Sequence, residues 1–254
     1  MEKLFFNMVS SGSSGNCSLL WDQDNLIVID FGISLRRLRS RLSDLKIDFG
    51  DISLFISHEH SDHSSGVRTL MRNLPTDVYT RQGTADSLSL KDAFAIRDSV
   101  VIGNFTVTPI TVSHDAADPV VYVIKNGRAK ISVVSDLGFV SPELIGAMSG
   151  SQIVALEANH DVDMLKSGSY PFMLKKRILS DHGHLSNIQT AEALEKLSGP
   201  STRIVLTHLS QENNLPDLAR QIVSDHLSNR GIEYMSIECA SQDMGSSLYD
   251  IEIF

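Results

Sequence analysis

The stretch LFISHEHSDHSSG, residues 54–66, sets three of the chain's nine histidines and two carboxylates within His58–His63, directly after the apolar run Leu54-Phe55-Ile56. Imidazoles this close repel one another when protonated, and when neutral each leaves a lone pair in need of a positive partner. A metal ion answers both demands, and neutral imidazole with carboxylate suits zinc, iron or manganese. The apolar run reads as a buried strand. His58, His60, Asp62 and His63 therefore lie on a loop at a strand's end, with Gly66 near the start of a helix beginning around Val67. The zinc-protease helix H-E-x-x-H is excluded, because the fourth position after His58 is Asp62 rather than histidine.

Composition bounds the rest. At 254 residues, 42% hydrophobic and 21% charged, the chain suits a globular protein with one large core. We find no linker, low-complexity tract or internal repeat, which predicts a single domain over residues 1–254. No apolar run approaches the ~18 residues of a membrane span, and the opening MEKLFFNMVSSGSSGN is too poor in apolar residues for a secretory signal. Cys17 and Cys239 are few and far apart, which suits a reducing cytoplasm and gives no disulfide framework. A net charge of −9 argues against coating nucleic acid with the whole surface but leaves a local site open. Arg36, Arg37, Arg39 and Arg41 on one predicted helix, and the run Lys175, Lys176 and Arg177, read as solvated helix faces ahead of a substrate track.

Apolar strands alternate with amphipathic helices along the chain. Strands are expected at Leu4–Val9, Ser18–Trp21, Leu26–Ile29, Leu54–Ser57, Asp77–Thr80, Ser99–Ile102, Phe105–Thr111, Val120–Lys125, Lys130–Val134, Ile153–Leu156, Arg203–Leu206 and Glu233–Ile237. Helices are expected after Ser34 and Gly66 and at Pro171–Leu179, Asn187–Leu197 and Leu215–Asn229. Ser186 with Gln189 spells a capping box, Ile188, Ala191, Leu194 and Leu197 form one stripe, and Gly199-Pro200 ends that helix. Layered sheets covered by helices follow from this alternation, an α/β class. Polar residues recur at the strand ends: Asp30 after LIVI, His114 after ITVS, Asp136 after ISVVS and His208 after IVLT. Binding groups sit on such loops above a rigid scaffold.

The order Asp30, HEHSDH, His114, Asp136 and His208 resembles the metallo-β-lactamase superfamily over essentially the whole chain. The stretches SSGSSGNCS (10–18), SHDAADPV (113–120), EANHD (157–161), RILSDHGHLSN (177–187) and THLSQENN (207–214) are similar to its bacterial YycJ-type, exonuclease-like branch. The resemblance implies a four-layer αββα sandwich with two divalent metal ions between the sheets, zinc first and manganese or iron as alternatives. It implies that His58, His60 and His114 hold one ion, that Asp62, His63 and His208 hold the other, and that Asp136 bridges them. Two ions ~4 Å apart can share a hydroxide, lower its pKa and clamp a phosphodiester, which makes a binuclear phosphodiesterase or nuclease acting on DNA the expected function. Asp62 would both bind a metal and orient that hydroxide, and Asp30 would support the ligand loop.

In related phosphodiesterases a histidine in a stretch similar to GHLSN faces the leaving group, so His184 is the expected general acid. It could instead cap the helix at Ser186 or take the place of His208 as a ligand. His160 and His182 belong either beside the ligands or on the surface, and His226 is expected to be solvated. The loop SSGSSGN lacks the G-x-x-x-x-G-K-[ST] pattern of a P-loop. It is either a tight hairpin without a ligand or a phosphate contact through Ser13, Ser14 and Asn16. Two other functions fit the sequence less well: a small-molecule hydrolase acting on a thioester, lactone or cyclic phosphate, and a metal-binding regulator without catalysis. The complete ligand set argues against the regulator. Only 71 residues separate Asp136 from His208, too few for a large inserted cap, while GHLSN and THLS favour the phosphodiester branch. No membrane partner is expected, and the oligomeric state is left open.

Overall fold

Strands that are apolar on both faces need cover on both. In the computed structural model, which describes residues 2–48 and 50–253, two seven-stranded sheets pack face to face and helices cover both outer sides. The first half of the chain runs β1 (Glu2–Ser10), β2 (Cys17–Trp21), β3 (Leu26–Ile29), α1 (Leu35–Leu45), β4 (Ile52–Phe55), α2 (Ser61–Ser64), α3 (Val67–Asn73), β5 (Thr76–Thr80), α4 (Gln82–Leu88), β6 (Phe94–Ala95), β7 (Val100–Ile102) and β8 (Phe105–Thr111). The second runs β9 (Val120–Asn126), β10 (Ala129–Val134), α5 (Pro142–Met148), β11 (Ile153–Glu157), α6 (Val162–Ser167), α7 (Phe172–Ile178), α8 (Asn187–Leu197), β12 (Arg203–Thr207), α9 (Pro216–Asn229), β13 (Ser236–Cys239) and β14 (Tyr249–Ile253).

The sheets are ordered β14-β1-β2-β3-β4-β5-β6 and β13-β12-β11-β10-β9-β8-β7. Pairing in the first is antiparallel from β14 to β3 and parallel from β3 to β6. The second repeats this plan, antiparallel from β7 to β10 and parallel from β10 to β13. Parallel strands bring their carboxyl ends, and the polar residues that follow them, to one edge of the sandwich, where open α/β sheets bind ligands.

Three apolar layers hold the sandwich. Phe6, Leu20, Ile27 and Phe55 meet Phe105, Tyr122, Ile131 and Val205 between the sheets. Val28, Leu54 and Ile56 pack beneath Leu38 of α1 and Leu70 of α3. Leu156 and Leu206 pack beneath Leu144, Leu194, Val223 and Leu227 of α5, α8 and α9. Each such side chain contributes roughly 1.5–3 kcal/mol on full burial.

The arginine helix α1 is not simply solvated. Ser34 accepts the Arg37 amide as its cap and Leu35 and Leu38 are buried. Arg37 reaches the carbonyls of Val9, Gln242 and Asp243, and Arg41 Nε donates to Asn7 Oδ1 at 2.8 Å. Both tie α1 to β1 and to the segment before β14, while Arg36 and Arg39 are exposed. In α8 the capping box of Ser186 and Gln189 is formed. The stripe expected there holds for Ala191, Leu194 and Leu197 but not for Ile188, which is 47% exposed. Asn187 and Thr190 turn inward in its place, Asn187 bonded to Asn214 and Thr190 to the carbonyl of Glu157. The last parallel strand begins at Ser236 rather than Glu233, because Met235 is still bonded to the Thr202 carbonyl outside the ladder.

One glycine is fixed by close approach. A Cβ on Gly32 would stand 1.7 Å from the carbonyl oxygen of Asp62, so the loop after β3 fits under the histidine loop only without a side chain. Gly50 has open space. We expect Gly32→Ala to lower stability by about 2 kcal/mol or more, roughly 4–8 °C in Tm, by forcing the two loops apart. Gly50→Ala should be close to neutral in the same thermal denaturation series, and equal melting of the two variants would refute the packing argument.

Candidate metal centre

The end of β3 organises the site. Asp30 is left-handed (φ 59°) and its buried carboxylate accepts the Ser57 amide at 2.8 Å, the Ser57 hydroxyl at 2.9 Å and His63 Nδ1 at 2.8 Å. Donating through Nδ1 turns the His63 Nε2 lone pair inward. The loop carrying His58, His60, Asp62 and His63 is gripped further by backbone bonds from Asn16 to Asp62 (2.7 Å) and from Phe31 to His63 (2.8 Å). Part of that stretch, read as loop from the sequence, is the single helical turn α2. Glu59 accepts the Ala117 amide at 2.8 Å and so ties this loop to the one bearing His114.

His58 Nε2 and His114 Nε2 lie 3.1 and 3.3 Å from His60 Nδ1. His63 Nε2 and His208 Nε2 each lie 3.3 Å from Asp62 Oδ2. Asp136 stands between the two groups, with Oδ2 3.0 Å from His63 Nε2 and Oδ1 3.9 Å from His114 Nε2. Groups bound to a tetrahedral ion at ~2.0–2.1 Å stand about 3.3 Å apart, which is the spacing seen in both groups. The buried Asp136 Oδ2 makes no hydrogen bond among the described residues, an oxygen that such an ion would satisfy. The residues present therefore fit divalent metal binding.

Electrostatics agree. Burial, with His63 adding to it, holds His58 well below its ordinary pKa, and burial lowers His114 too, so both are neutral lone-pair donors. Burial opposes charge on His63 and His208 as well, but Asp30 and Asp136 outweigh it at His63, and Asp136, Asp62 and Glu157 at His208, raising both well above the usual value. Protons on these two imidazoles sit where metal ions would compensate the same carboxylates, so ion binding would release them.

Glu157, at the end of β11, is the important group that the sequence reading did not assign. It is fully buried. Its Oε1 lies 2.7 Å from His184 Nδ1 and 3.3 Å from His208 Nδ1, while Oε2 accepts the Leu137 amide at 3.2 Å. One carboxylate thus orients two imidazoles. His184 does not cap α8, because Ser186 does so itself. Both His184 Nδ1 and His208 Nδ1 stand 3.6 Å from Asp136 Oδ1, and His208 alone also reaches Asp62.

The other candidates fall elsewhere. Asn16 is nearly buried and works inside the protein, its amide nitrogen 3.2 Å from Asp62 Oδ2 and 3.0 Å from His63 Nε2. Ser13 and Ser14 are exposed on the same loop, and the Ser14 amide donates to Gln242. His160 is buried behind the site, with neither ring nitrogen hydrogen-bonded among the described residues, and burial lowers its pKa to about 4. His182 is exposed and meets Ser113 Oγ at 2.8 Å. His226, expected in solvent, pairs instead with Glu195 at 2.7 Å.

Comparison with known proteins gives the family of the chain. Residues 25–209 match the sequence model of the β-lactamase superfamily domain. The chain is 34% identical over 239 residues to an exodeoxyribonuclease YycJ of Bacillus anthracis, covering 90% of each. It is 35% identical over 236 residues to an exodeoxyribonuclease WalJ of Streptococcus pneumoniae, covering 88% of each. Among solved structures, the metallo-β-lactamase fold protein YhfI of Bacillus subtilis superposes with a TM-score of 0.74 at 14% identity, covering 99% of this chain and 100% of that one. With its two helix-covered sheets and its ligand cluster at their shared edge, the chain belongs to the metallo-β-lactamase superfamily.

Proposed function

We propose that this chain is a metal-dependent phosphodiesterase that acts as an exonuclease on DNA. The observation that carries the reading is the pairing of His184 with buried Glu157 at the rim of the ligand cluster, which equips the site for a leaving group that needs a proton. The exodeoxyribonuclease names of the two relatives support the substrate.

In this reading His58, His60 and His114 would hold one ion and Asp62, His63 and His208 a second, with Asp136 available between the two groups. Zinc suits the nitrogen-rich set best, with manganese or iron as alternatives. The ions would supply Lewis acidity toward a phosphodiester and activation of water at neutral pH. The chain's own groups do the rest. Asp30 fixes the His63 tautomer, and Asn16 directs the Asp62 carboxylate. Burial disfavours charge on His184, but the Glu157 carboxylate outweighs it and raises its pKa. A proton is thereby kept on Nε2, ready for a departing sugar oxygen. No helix among the described residues is long and apolar enough to cross a membrane. Both cysteines are free thiols, which suits a reducing compartment, and we place the protein in the cytoplasm.

Three measurements test this. Elemental analysis should find up to two transition-metal ions per chain in the wild type and a loss of at least one in His58→Ala/His60→Ala; unchanged content would remove the basis of the reading. Chelation should abolish DNA hydrolysis and added metal restore it, while Asp62→Ala should stay inactive yet folded; good turnover of thioesters or lactones with no phosphodiester cut would favour a small-molecule hydrolase. His184→Ala should keep both ions and lose roughly 10²- to 10⁴-fold on DNA but far less on a nitrophenyl phosphodiester, whose leaving group needs no proton. Equal loss on both substrates with a missing metal would make His184 a ligand instead.

A further inference from the structure

Beside the ligand cluster a cavity of about 170 Å³ opens between the loop after β1, α7 and the loop after β12, lined by Ser13, Tyr170, Leu174, Arg177, His184 and Ser210. It is smaller than the ~300–1,000 Å³ of typical small-molecule sites, with room for one flat ring rather than a base pair. We propose that this cavity receives one unpaired nucleotide, the unit on the leaving-group side of the scissile bond.

The placement of His184 gives the side. Its Nδ1 is held by Glu157 and it lines the cavity, so the free Nε2 serves whatever oxygen lies there. In the balanced step a water oxygen bonds to phosphorus and its proton passes to solvent. The bond from phosphorus to the departing sugar oxygen breaks, and that oxygen takes the His184 proton. The unit that leaves is therefore the one in the cavity.

The lining gives the chemistry. Arg177 Nε donates to Asp115 Oδ2, and Asp115 Oδ1 lies 3.4 Å from His114 Nε2, so the guanidinium is fixed between the cluster and the cavity. Its terminal nitrogens have no protein partner among the described residues and offer the fork that suits a phosphate. Tyr170 and Leu174 present an aromatic and an aliphatic surface on which a base can lie, and Ser13 and Ser210 can meet its polar edge or the sugar. A base seated there is out of its pair, so the end of a duplex must open by one nucleotide to be cut. The inference rests on the phosphodiesterase reading.

The test compares metal-loaded wild type with Tyr170→Ala, Tyr170→Phe and Arg177→Ala. The ratio of kcat/KM for a thymidine dinucleotide to that for bis(4-nitrophenyl) phosphate should fall about tenfold in Tyr170→Ala, the scale of one lost base–aromatic stack, and be restored in Tyr170→Phe. Inhibition by thymidine monophosphate should weaken in both alanine variants, whereas inhibition by inorganic phosphate should weaken in Arg177→Ala alone. Wild-type ratios and inhibition in both alanine variants would overturn the cavity assignment while leaving the nuclease reading intact. Failure of wild type to cut any dinucleotide while it turns over the nitrophenyl ester would remove that reading and the cavity's role together.

Discussion

A single buried carboxylate sets the geometry of the metal centre. Asp30 is almost inaccessible, and its carboxylate is satisfied by three hydrogen bonds from Ser57 and His63. Removing one partner of such a buried group typically costs about 3–5 kcal/mol. The parallel pairing of β3 with β4 makes the contact possible, since Ile29 faces Phe55 and the next residues of each strand emerge side by side. From there the order propagates: Ser57 also touches His58 Nδ1, His63 turns its second nitrogen inward, and the turn between them carries His60 and Asp62. The cluster is thus built outward from a residue that stands outside the groups able to hold an ion.

Three of the strand-end groups share a backbone conformation that ordinary residues avoid. Asp30, Asp136 and His208 have φ of 59°, 60° and 52°. Left-handed backbone costs roughly 1–2 kcal/mol per residue, least for residues whose short polar side chains bond locally. The surroundings hold the strain. The Asp30 amide donates to Phe55, the His208 amide to Ser11 Oγ at 2.8 Å, and Asn159 donates to the His208 carbonyl at 2.9 Å. The bend turns each chain sharply off its strand and aims the side chain across the cleft, a direction that extended backbone would not give.

Much of this was legible because it is written locally. The buried strands stand out as continuous apolar runs, and Ser186 with Gln189 announces α8. The histidines and aspartates at strand ends are conspicuous against such runs, and they do converge in space. What escaped depends on distant partners. Glu157 closes the run IVALE and opens the stretch EANHD, yet no role followed from either, because its meaning comes from His184, 27 residues on, and His208, 51 residues on. Ile188 fits the spacing of an inward stripe, yet the Asn187–Asn214 pair and Thr190 claim the inner face. The edge strand β6 is two exposed residues, too short to carry a pattern, whereas β14, YDIEI, does alternate and turns Tyr249, Ile251 and Ile253 to the core, a signal that the sequence reading passed over. Arg37 and Arg41 look like surface charge until the segment they clasp, some two hundred positions later, is folded beneath them.

The pairing of β1 with β14 has a bearing on how the protein is made. Lys3 lies opposite Glu252, and its ammonium meets Asp250 across a separation of 247 residues. During translation β1 leaves the ribosome long before β14 and must wait for it before its outer hydrogen bonds are filled. An unfilled strand border is a template for mispairing with other nascent chains. Lys3, exposed on that border, is the sort of charge that discourages such encounters until its partner arrives.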